Sequence, residues 1–425
     1  MKIRVYAKMF QTGTPGWDVK VIDNTNSNAL YVMEGALALS GDSDSQRNLN
    51  ASSGWSGSSY GLPRTAAPFA ILNNAYKSMQ KVLTADANTV FPSLLINWSV
   101  NNVSLVGDTS IGHITTSHYT NGNLFILGDA DSDTDEYDDH VVTHEWGHYY
   151  EDKFSRSDSI GGGHGEEDHL DIRVALGEGW GNAFSAMALD NPIYFDTLDT
   201  AQTGGFYFDV ESGTSINKGW YSESSIQRIL YDIYDENEDG NDILSLGFTP
   251  IHEVFTGAEK TTEAFTSLFT FITLLKEENP ANIDEIERIV ASENIAPITD
   301  IYGTGRMNQS TAYPYHDLTL GVPLEIEINN EYGTYNKLNN RQYVKFNIIS
   351  SALYSIKVEQ INGTNSDPDF YLFASSPFSQ IDFSESTISG LEQKDITLPA
   401  GEYLLDISDY NNIDSAQLRV SIGLK

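Results

Sequence analysis

Two histidines in this chain, His144 and His148, are separated by three residues, and Glu145 directly follows the first of them. On a helix, imidazoles four positions apart share one face, so both can bind the same metal ion. Neutral imidazole nitrogens are good ligands for Zn²⁺. Glu145 would lie beside the metal, where its carboxylate can take a proton from a metal-bound water. The HExxH spacing therefore predicts the active centre of a zinc-dependent hydrolase.

A hydrolytic zinc site has three protein ligands and an open position for water, so a third ligand must come from another element. Glu178 is the best candidate, because it follows His148 at an interval that allows a helix end, a loop and a returning helix. Residues 175–186 around it contain enough Ala, Leu, Phe and Met to form a buried helix. The alternative for Glu178 is an ordinary carboxylate near the start of a helix.

The HExxH motif, followed downstream by Gly-Glu-Gly-Trp, resembles the gluzincin metallopeptidases, in particular their thermolysin-like and fungalysin-like branches. The resemblance covers roughly residues 110–260. It implies that His144, His148 and Glu178 bind zinc and that Glu145 is the general base. These families cleave peptide bonds, so the resemblance implies a metallopeptidase.

One position departs from the family pattern. The gluzincins usually carry an aspartate four residues after the ligand glutamate, and this chain has Asn182 there. Because Glu178 and Asn182 would share a helical face, the Asn182 amide could form a hydrogen bond with a ligating imidazole. A neutral amide orients the imidazole but makes it less basic than a carboxylate would.

The sequence before the motif predicts the elements that position it. Asp138 and Asp139 suit the positive end of a helix dipole, so a helix is expected to begin there. Upstream, residues 123–128 form a short apolar run that ends at a glycine, which predicts a strand. In zincin-like enzymes such a strand forms the upper edge of the cleft, and an extended peptide can pair with its free backbone groups. A strand inside the core is the alternative.

A hydrolytic site also needs a hydrogen-bond donor that stabilises the oxyanion formed when water attacks the carbonyl. Tyr221 is the first candidate, because it lies just before a predicted amphipathic helix. The fungalysin-like pattern brings a histidine to the equivalent segment, and this chain has none there. His164 and His169, in the glycine-rich connection between the ligand elements, are the other candidates. A core or surface role is the alternative for each of the three.

The periodicity of apolar residues predicts an α+β multidomain chain. Residues 1–60 alternate short apolar runs with turns and are expected to form an N-terminal β module. Residues 61–320 are expected to form a zincin-type catalytic domain, with a mixed sheet before the motif and a helical lobe after it. Residues 321–425 show a period of two, which predicts a C-terminal β-sandwich. Residues 367–372 and 398–403 resemble the bacterial pre-peptidase C-terminal domain, an accessory that could bind substrate or aid secretion.

Composition limits the partners that this chain can have. The 60 acidic and 24 basic residues give a formal charge of −36, which repels nucleic acid and anionic membrane surfaces. The chain has no cysteine, so histidines and carboxylates must provide any metal ligands. Acidity and the absence of cysteine suggest a secreted bacterial protein from a saline setting. The first residues lack the apolar run of a signal peptide, so that segment is expected to have been removed, and no membrane insertion is expected.

Two acidic segments suggest Ca²⁺ as a second ion. Residues 235–240 match the opening of a calcium-binding loop, but Leu246 stands where the loop would need a closing glutamate. Residues 129–136 carry carboxylates at alternate positions. Solvated acidic turns are the alternative for both segments.

Together these patterns predict a secreted, zinc-dependent endopeptidase whose partner is a protein or peptide substrate. An endopeptidase is preferred to an aminopeptidase because the sequence has no Gly-x-Met-Glu-Asn anchor for a free amino terminus. A non-catalytic adhesion or glycan-binding protein with a structural zinc site remains a second hypothesis. A zinc hydrolase or aminopeptidase of other specificity is the third.

Overall fold

The computed structural model describes residues 1–42, 44, 46–213, 215–236, 243–304 and 313–425. Over these ranges the chain contains both helices and sheets and divides into two compact units. The first unit comprises Met1–Lys153 and Trp180–Gly213, and the second comprises Phe154–Gly179 and Thr214–Lys425. The predicted α+β multidomain class is confirmed.

The described residues form seven α-helices, three 3-10 turns and twenty-one strands. The helices are α1 (Ala67–Ala85), α2 (Asp139–Phe154), α3 (Ile172–Leu189), α4 (Glu223–Tyr234), α5 (Phe248–Thr256), α6 (Leu268–Glu278) and α7 (Ile283–Ser292). The 3-10 turns are Thr109–Ile111, Thr200–Gln202 and Glu259–Thr261. The strands are β1 (Arg4–Tyr6), β2 (Lys8–Gln11), β3 (Trp17–Asp23), β4 (Ala29–Leu30), β5 (Val32–Glu34), β6 (Leu94–Trp98), β7 (His118–Thr120), β8 (Asn123–Ile126), β9 (Gly128–Asp129), β10 (Asp133–Thr134), β11 (Ile193–Leu198), β12 (Gly204–Asp209), β13 (Tyr315–Leu318), β14 (Leu324–Asn329), β15 (Arg341–Ile348), β16 (Ala352–Asn362), β17 (Pro368–Ser375), β18 (Phe378–Ser384), β19 (Leu391–Leu398), β20 (Gly401–Asp409) and β21 (Ser415–Leu424).

The main sheet of the first unit has the strand order β2-β3-β6-β8-β7, with β4 also paired to β3. Strands β3, β6 and β8 are parallel, while β2 and β7 pair antiparallel at the two edges. Helix α1 packs on β3 and buries Ile71, Ala75, Met79 and Val82, which recur at intervals of three and four residues. Each large apolar side chain buried in this way stabilises the unit by about 1.5–3 kcal/mol.

Two features of this sheet differ from the sequence-based expectations. Strand β3 lies in the predicted N-terminal module, but it pairs in parallel with β6, so the sheet contains strands from both sides of residue 61. Strand β8 lies between β6 and β7, so it is an internal strand. The prediction that β8 has a free edge, with which a peptide could pair, is therefore wrong. The domain boundaries at residues 60 and 320 stay predictions.

A second sheet of the first unit leads into helix α2. Its strand order is β12-β11-β10-β9, and all its pairs are antiparallel. Asp133 of β10 pairs with Asp129 on one side and with Leu198 of β11 on the other. Helix α2 begins at Asp139, shortly after β10 ends at Thr134.

The second unit ends in a β-sandwich. One sheet has the order β13-β15-β20-β17-β18, and the other has the order β14-β21-β16-β19. Alternate residues of each strand point into a shared core, including Val344 and Phe346 from one sheet and Leu418 and Val420 from the other. The sandwich begins at Tyr315 and ends at Leu424.

Helix α3 is continuous, although its residues up to Gly179 group with the second unit and those from Trp180 with the first. Its first turn is fixed by Arg173, which is buried and forms ion pairs with Asp171 and with Asp406 of β20. Burial alone would raise the pKa of Asp171, but Arg173 and a hydrogen bond from Tyr343 outweigh it and lower the pKa below its ordinary value. The lowered pKa means that ionised Asp171 stabilises the folded chain. This stabilisation is fully present above the ordinary carboxyl pKa and is lost in acid, as the pH falls through the lowered pKa of Asp171.

Across the described residues, the structure contains no helix that is both long and apolar enough to cross a membrane.

We expect Arg173→Met to lower the free energy of unfolding by about 3–5 kcal/mol at neutral pH, because it leaves the buried Asp171 carboxylate without its cation, whereas Asp406 keeps its ion pair with Arg341. Denaturant unfolding at pH 7 measures this loss. Lys345→Met is the control, since Lys345 pairs with an Asp317 side chain that is 85% exposed, and should change stability by less than about 1 kcal/mol. Equal effects of the two substitutions would contradict the structural role of Arg173.

Candidate metal centre

Helix α2 is buried along most of its length although it carries several ionisable side chains. His140, His144, Glu145 and Glu151 are each at most 9% exposed. Burial of such groups costs free energy unless partners compensate, so a polar helix in the interior marks a candidate functional site. The helix begins after Asp138, whose carboxylate accepts hydrogen bonds from the backbone and hydroxyl of Thr197.

Helices α2 and α3 approach each other closely through two glycines. A Cβ atom at Gly147 would lie 3.3 Å from the Cα of Gly181, and a Cβ atom at Gly181 would lie 2.7 Å from the ring of His144. The Trp180 indole donates a hydrogen bond to the Gly147 carbonyl at 3.0 Å. The His144 ring therefore occupies the space that a side chain at residue 181 would need.

The approach of the two helices brings three ligand-type side chains together. One ring nitrogen from each of His144 and His148 and one carboxylate oxygen of Glu178 all lie within 4.8 Å of one another. The Nε2 atoms of the two histidines are 3.0 Å apart. In a tetrahedral zinc site with bonds of about 2.0–2.1 Å, two ligand nitrogens lie about 3.3 Å apart. The spacing and the donor set of two imidazoles and one carboxylate therefore fit a metal site.

Asn182 determines which nitrogen of His144 can act as the ligand. Its Oδ1 atom lies 2.8 Å from the Nδ1 atom of His144. Because an amide oxygen accepts hydrogen bonds only, Nδ1 carries the proton and Nε2 is left as the unprotonated nitrogen. The unprotonated Nε2 faces His148, which is the orientation that metal binding requires.

Glu145 is 9% exposed and lies on α2 between the two histidines. The buried ring of Tyr194, on β11, stands edge-on to His144 with centroids 6.3 Å apart. Burial raises the pKa of Tyr194, and the negative charges of Asp196 and Glu145 raise it further. Sequence reasoning missed Tyr194, because nothing in the local pattern of β11 indicates that the strand passes beside the motif helix.

His164 lies beside Glu178, one of the three candidate metal ligands. Its Nε2 atom lies 3.1 Å from Oε2 of Glu178, and its Nδ1 atom lies 2.8 Å from Oε2 of Glu223. Glu223 is the first residue of α4 and is buried. His164 is therefore held between two carboxylates, one of which belongs to the candidate metal centre.

Tyr221 and His169, the other predicted oxyanion-stabilising residues, lie in an aromatic stack. Their rings are 4.5 Å apart, and His169 also stacks on Tyr332 at 4.3 Å. The Tyr221 hydroxyl donates to the Lys218 carbonyl at 3.5 Å, and burial lowers the pKa of His169. His164 therefore contacts a candidate metal ligand, Glu178. The catalytic roles of Tyr221 and His169 stay predictions.

Most of the predicted calcium loop at residues 235–240 lies outside the described residues, which stop at residue 236 and resume at 243. The second acidic segment, residues 129–136, is described. Asp133 and Asp135 of this segment form a carboxylate cluster with Asp196 of β11.

No protein-family profile matches the chain, and no curated protein does. Among solved structures, the precursor of protealysin, a metalloproteinase from Serratia proteamaculans, is 10% identical, with 67% of this chain and 88% of that chain covered and a TM-score of 0.38. The pre-peptidase C-terminal domain of a collagenase from Bacillus anthracis is 14% identical, with 27% and 99% covered and a TM-score of 0.22. A surface-associated copper-binding protein of Methylomicrobium album BG8 is 7% identical, with 27% and 100% covered and a TM-score of 0.21. All three TM-scores are below 0.5, and the function proposed below rests on the side chains of this chain.

We expect Gly181→Ala to weaken zinc binding by about 10–100-fold, because the added methyl group displaces the His144 ring. Competition with a chelator of known affinity measures the change. Gly165→Ala is the matched control, since nothing lies within 4 Å of a Cβ at that position. If both variants bound zinc as the wild type does, the close approach of α2 and α3 would not control the ligand geometry.

Proposed function

We propose that this chain is a zinc-dependent peptidase of the gluzincin type. His144, His148 and Glu178 would hold the metal, and Glu145 would act as the general base. The observation that supports this proposal most directly is the convergence of the three ligand atoms within 4.8 Å. These ligands come from two successive helices joined by a loop, a convergence that a chance HExxH segment would not produce.

The presence of Glu145 favours catalysis over a purely structural metal. A structural zinc site is closed by four protein ligands, whereas the described residues contribute three to this cluster. A structural site has no use for a carboxylate beside the ligands that does not itself bind the metal. Glu145 directly follows the ligand His144 on α2 and is buried, which supports its assignment as the general base.

The proposed chemistry divides between the metal and the protein. When bound, zinc supplies a Lewis acid that lowers the pKa of a coordinated water towards about 7 and polarises a carbonyl. Glu145 takes the proton of the attacking water and then donates it to the leaving amine. Asn182 keeps the His144 ring in the tautomer that presents Nε2.

His164 is the side chain best placed to stabilise the oxyanion. Glu223 holds its Nδ1 atom, while its Nε2 atom lies at the edge of the metal centre beside Glu178. In its protonated form the imidazole donates from both nitrogens, so Nδ1 donates to Glu223, and Nε2, which lies 3.1 Å from Oε2 of Glu178, would donate to an oxyanion formed beside that carboxylate. This assignment replaces Tyr221 as the first candidate.

We further propose a secreted endopeptidase that acts on protein or peptide substrates. The charge of −36 supports export as a highly soluble, acidic protein and disfavours nucleic acid as a partner. The β-sandwich of the second unit would serve as an accessory module that binds substrate or aids secretion. The predicted pairing of substrate with β8 is not part of this proposal.

We expect Glu145→Gln to bind zinc as the wild type does and to lose about 10²–10⁴-fold in kcat, because only the proton acceptor is removed. Hydrolysis of a quenched peptide library and elemental analysis for zinc measure the two properties. Glu277→Gln, the same change at an exposed helical residue, should leave both unchanged. Substantial activity in Glu145→Gln would refute its role, and a zinc-loaded wild type with no hydrolytic activity would favour the structural-zinc hypothesis.

We expect His164→Gln to lower kcat by about 10²–10³-fold with little change in KM, because a donor to the transition state is lost. His169→Gln is the matched control and should retain near wild-type kcat, since His169 belongs to the aromatic stack with Tyr221 and Tyr332. The opposite order of effects would restore His169 as the catalytic histidine. Loss of zinc from His164→Gln would show that His164 instead positions Glu178.

A further inference from the structure

Three aspartates of the first unit form a second cluster of ligand-type atoms. Asp133 lies on β10, Asp135 follows that strand, and Asp196 lies on the neighbouring strand β11. One carboxylate oxygen of each lies within 4.8 Å of the others. We call these three residues the acidic triad. None of them belongs to the metal centre described above.

The triad contains buried oxygen atoms that have no hydrogen-bond donor. Asp135 is 3% exposed, and its Oδ1 atom is buried without a partner, whereas Ser117 donates to its Oδ2 atom. The Oδ1 atoms of Asp133 and Asp196 are also buried without a partner. A buried polar atom left unpaired is unfavourable, and it is more so when it is charged. Three such atoms at one place indicate a ligand that the protein chain itself does not supply.

Charge points to the same conclusion. In the part of the chain that the structure describes, the charges acting on Asp133 and Asp196 come from other aspartates: Asp199 acts on Asp133, and both Asp133 and Asp138 act on Asp196. Arginine and lysine form no ion pair with the triad within the described residues. Three carboxylates packed together without a cation repel one another, so a cation that binds all three would stabilise this region.

The geometry and the donor type select the ion. Ca²⁺ binds six to eight oxygen ligands at about 2.3–2.6 Å, so oxygens on opposite sides of one ion are separated by up to about 5 Å. The oxygen separations in the triad fall within that limit. An all-carboxylate set contains no imidazole of the kind that zinc prefers, and backbone carbonyls and water can complete the larger shell of Ca²⁺.

We propose that the acidic triad of Asp133, Asp135 and Asp196 binds one Ca²⁺ ion. The ion would tie the segment that leads into helix α2 to strand β11. Tyr194 precedes Asp196 by two residues and therefore lies on the same face of β11, where its ring contacts His144. Calcium at the triad would thus hold in place the strand that lines the metal centre.

Calcium binding can be measured without reference to peptidase activity. The full chain is stripped with a chelator, reloaded with one equivalent of Zn²⁺, and titrated with CaCl₂ in a calorimeter. We expect one Ca²⁺ per chain in the wild type and at least tenfold weaker binding in Asp135→Asn and Asp196→Asn. Asp131→Asn is the matched control, because Asp131 lies in the same turn but is exposed, and it should bind as the wild type does. Wild-type calcium affinity in Asp135→Asn, or no binding to the wild type, overturns the proposal.

Thermal unfolding distinguishes loss of the ion from simple damage to the fold. In chelator, Asp135→Asn should melt at or above the wild-type temperature, because it removes one uncompensated buried charge. In millimolar Ca²⁺ it should melt below the wild type, because it no longer gains the stabilisation that ligand binding gives. A variant that melts below the wild type under both conditions, or a wild type whose melting temperature does not rise with Ca²⁺, contradicts the calcium site.

Discussion

Helices α2 and α3 contact each other at Gly147 and Gly181, and the ligand positions of the candidate metal centre depend on that contact. A Cβ atom at Gly147 would meet the Cα of Gly181 at 3.3 Å, so α3 would have to shift slightly, and a Cβ atom at Gly181 would displace the His144 ring directly. Trp180, which precedes Gly181 on α3, donates a hydrogen bond to the Gly147 carbonyl of α2 and so holds the two helices together at this contact. Since tetrahedral zinc tolerates only small changes in ligand spacing, this packing constraint determines whether the site can bind metal.

Several interactions hold the ligand-bearing helices in position around that contact. Trp146 of α2 stacks on Phe184 of α3 with ring centroids 5.3 Å apart, and large aromatic surfaces of this kind contribute strongly to packing. The start of α3 is fixed by the buried Arg173 ion pairs. Asn182 orients the ring of the candidate ligand His144, and Glu223 holds the ring of His164. The site is therefore built on rigid helices and supported by partners that fix the ring orientations.

The sequence predicts the features of the site that depend on local helical spacing, and it fails where distant segments meet. The pairing of His144 with His148, and the proximity of Asn182 to Glu178, follow from a period of 3.6 residues. The contact between His164 and Glu178 depends on a loop in which Gly161 and Gly162 have positive φ, a conformation that spacing does not reveal. Asp196 and Tyr194 are brought to the motif helix by the pairing of β11 in its sheet, which is also a tertiary effect.

The fold shows the same contrast between local patterns, which the sequence reveals, and the pairing of distant segments, which it does not reveal. The predicted β-sandwich period is visible because alternate residues of long strands such as β15 and β21 are buried. Strand β8 was expected to have a free edge because the strand before the motif helix forms the upper edge of the cleft in zincin-like enzymes, and an internal strand was the alternative. The turn between β7 and β8, Asn121-Gly122, has positive φ at both positions, and this dipeptide is a strong hairpin signal that would have shown β8 to be paired. The parallel pairing of β3 with β6 spans helix α1, and sequence patterns carry little information about such distant partners.

The most direct test of the central claim is to determine how zinc is coordinated in the purified protein, by X-ray absorption at the zinc edge or by anomalous diffraction. We expect one zinc bound by Nε2 of His144, by a ring nitrogen of His148, by a carboxylate oxygen of Glu178 and by one solvent molecule. Zinc with a fourth protein ligand in place of solvent, or zinc bound without Glu178, would contradict the proposed catalytic site.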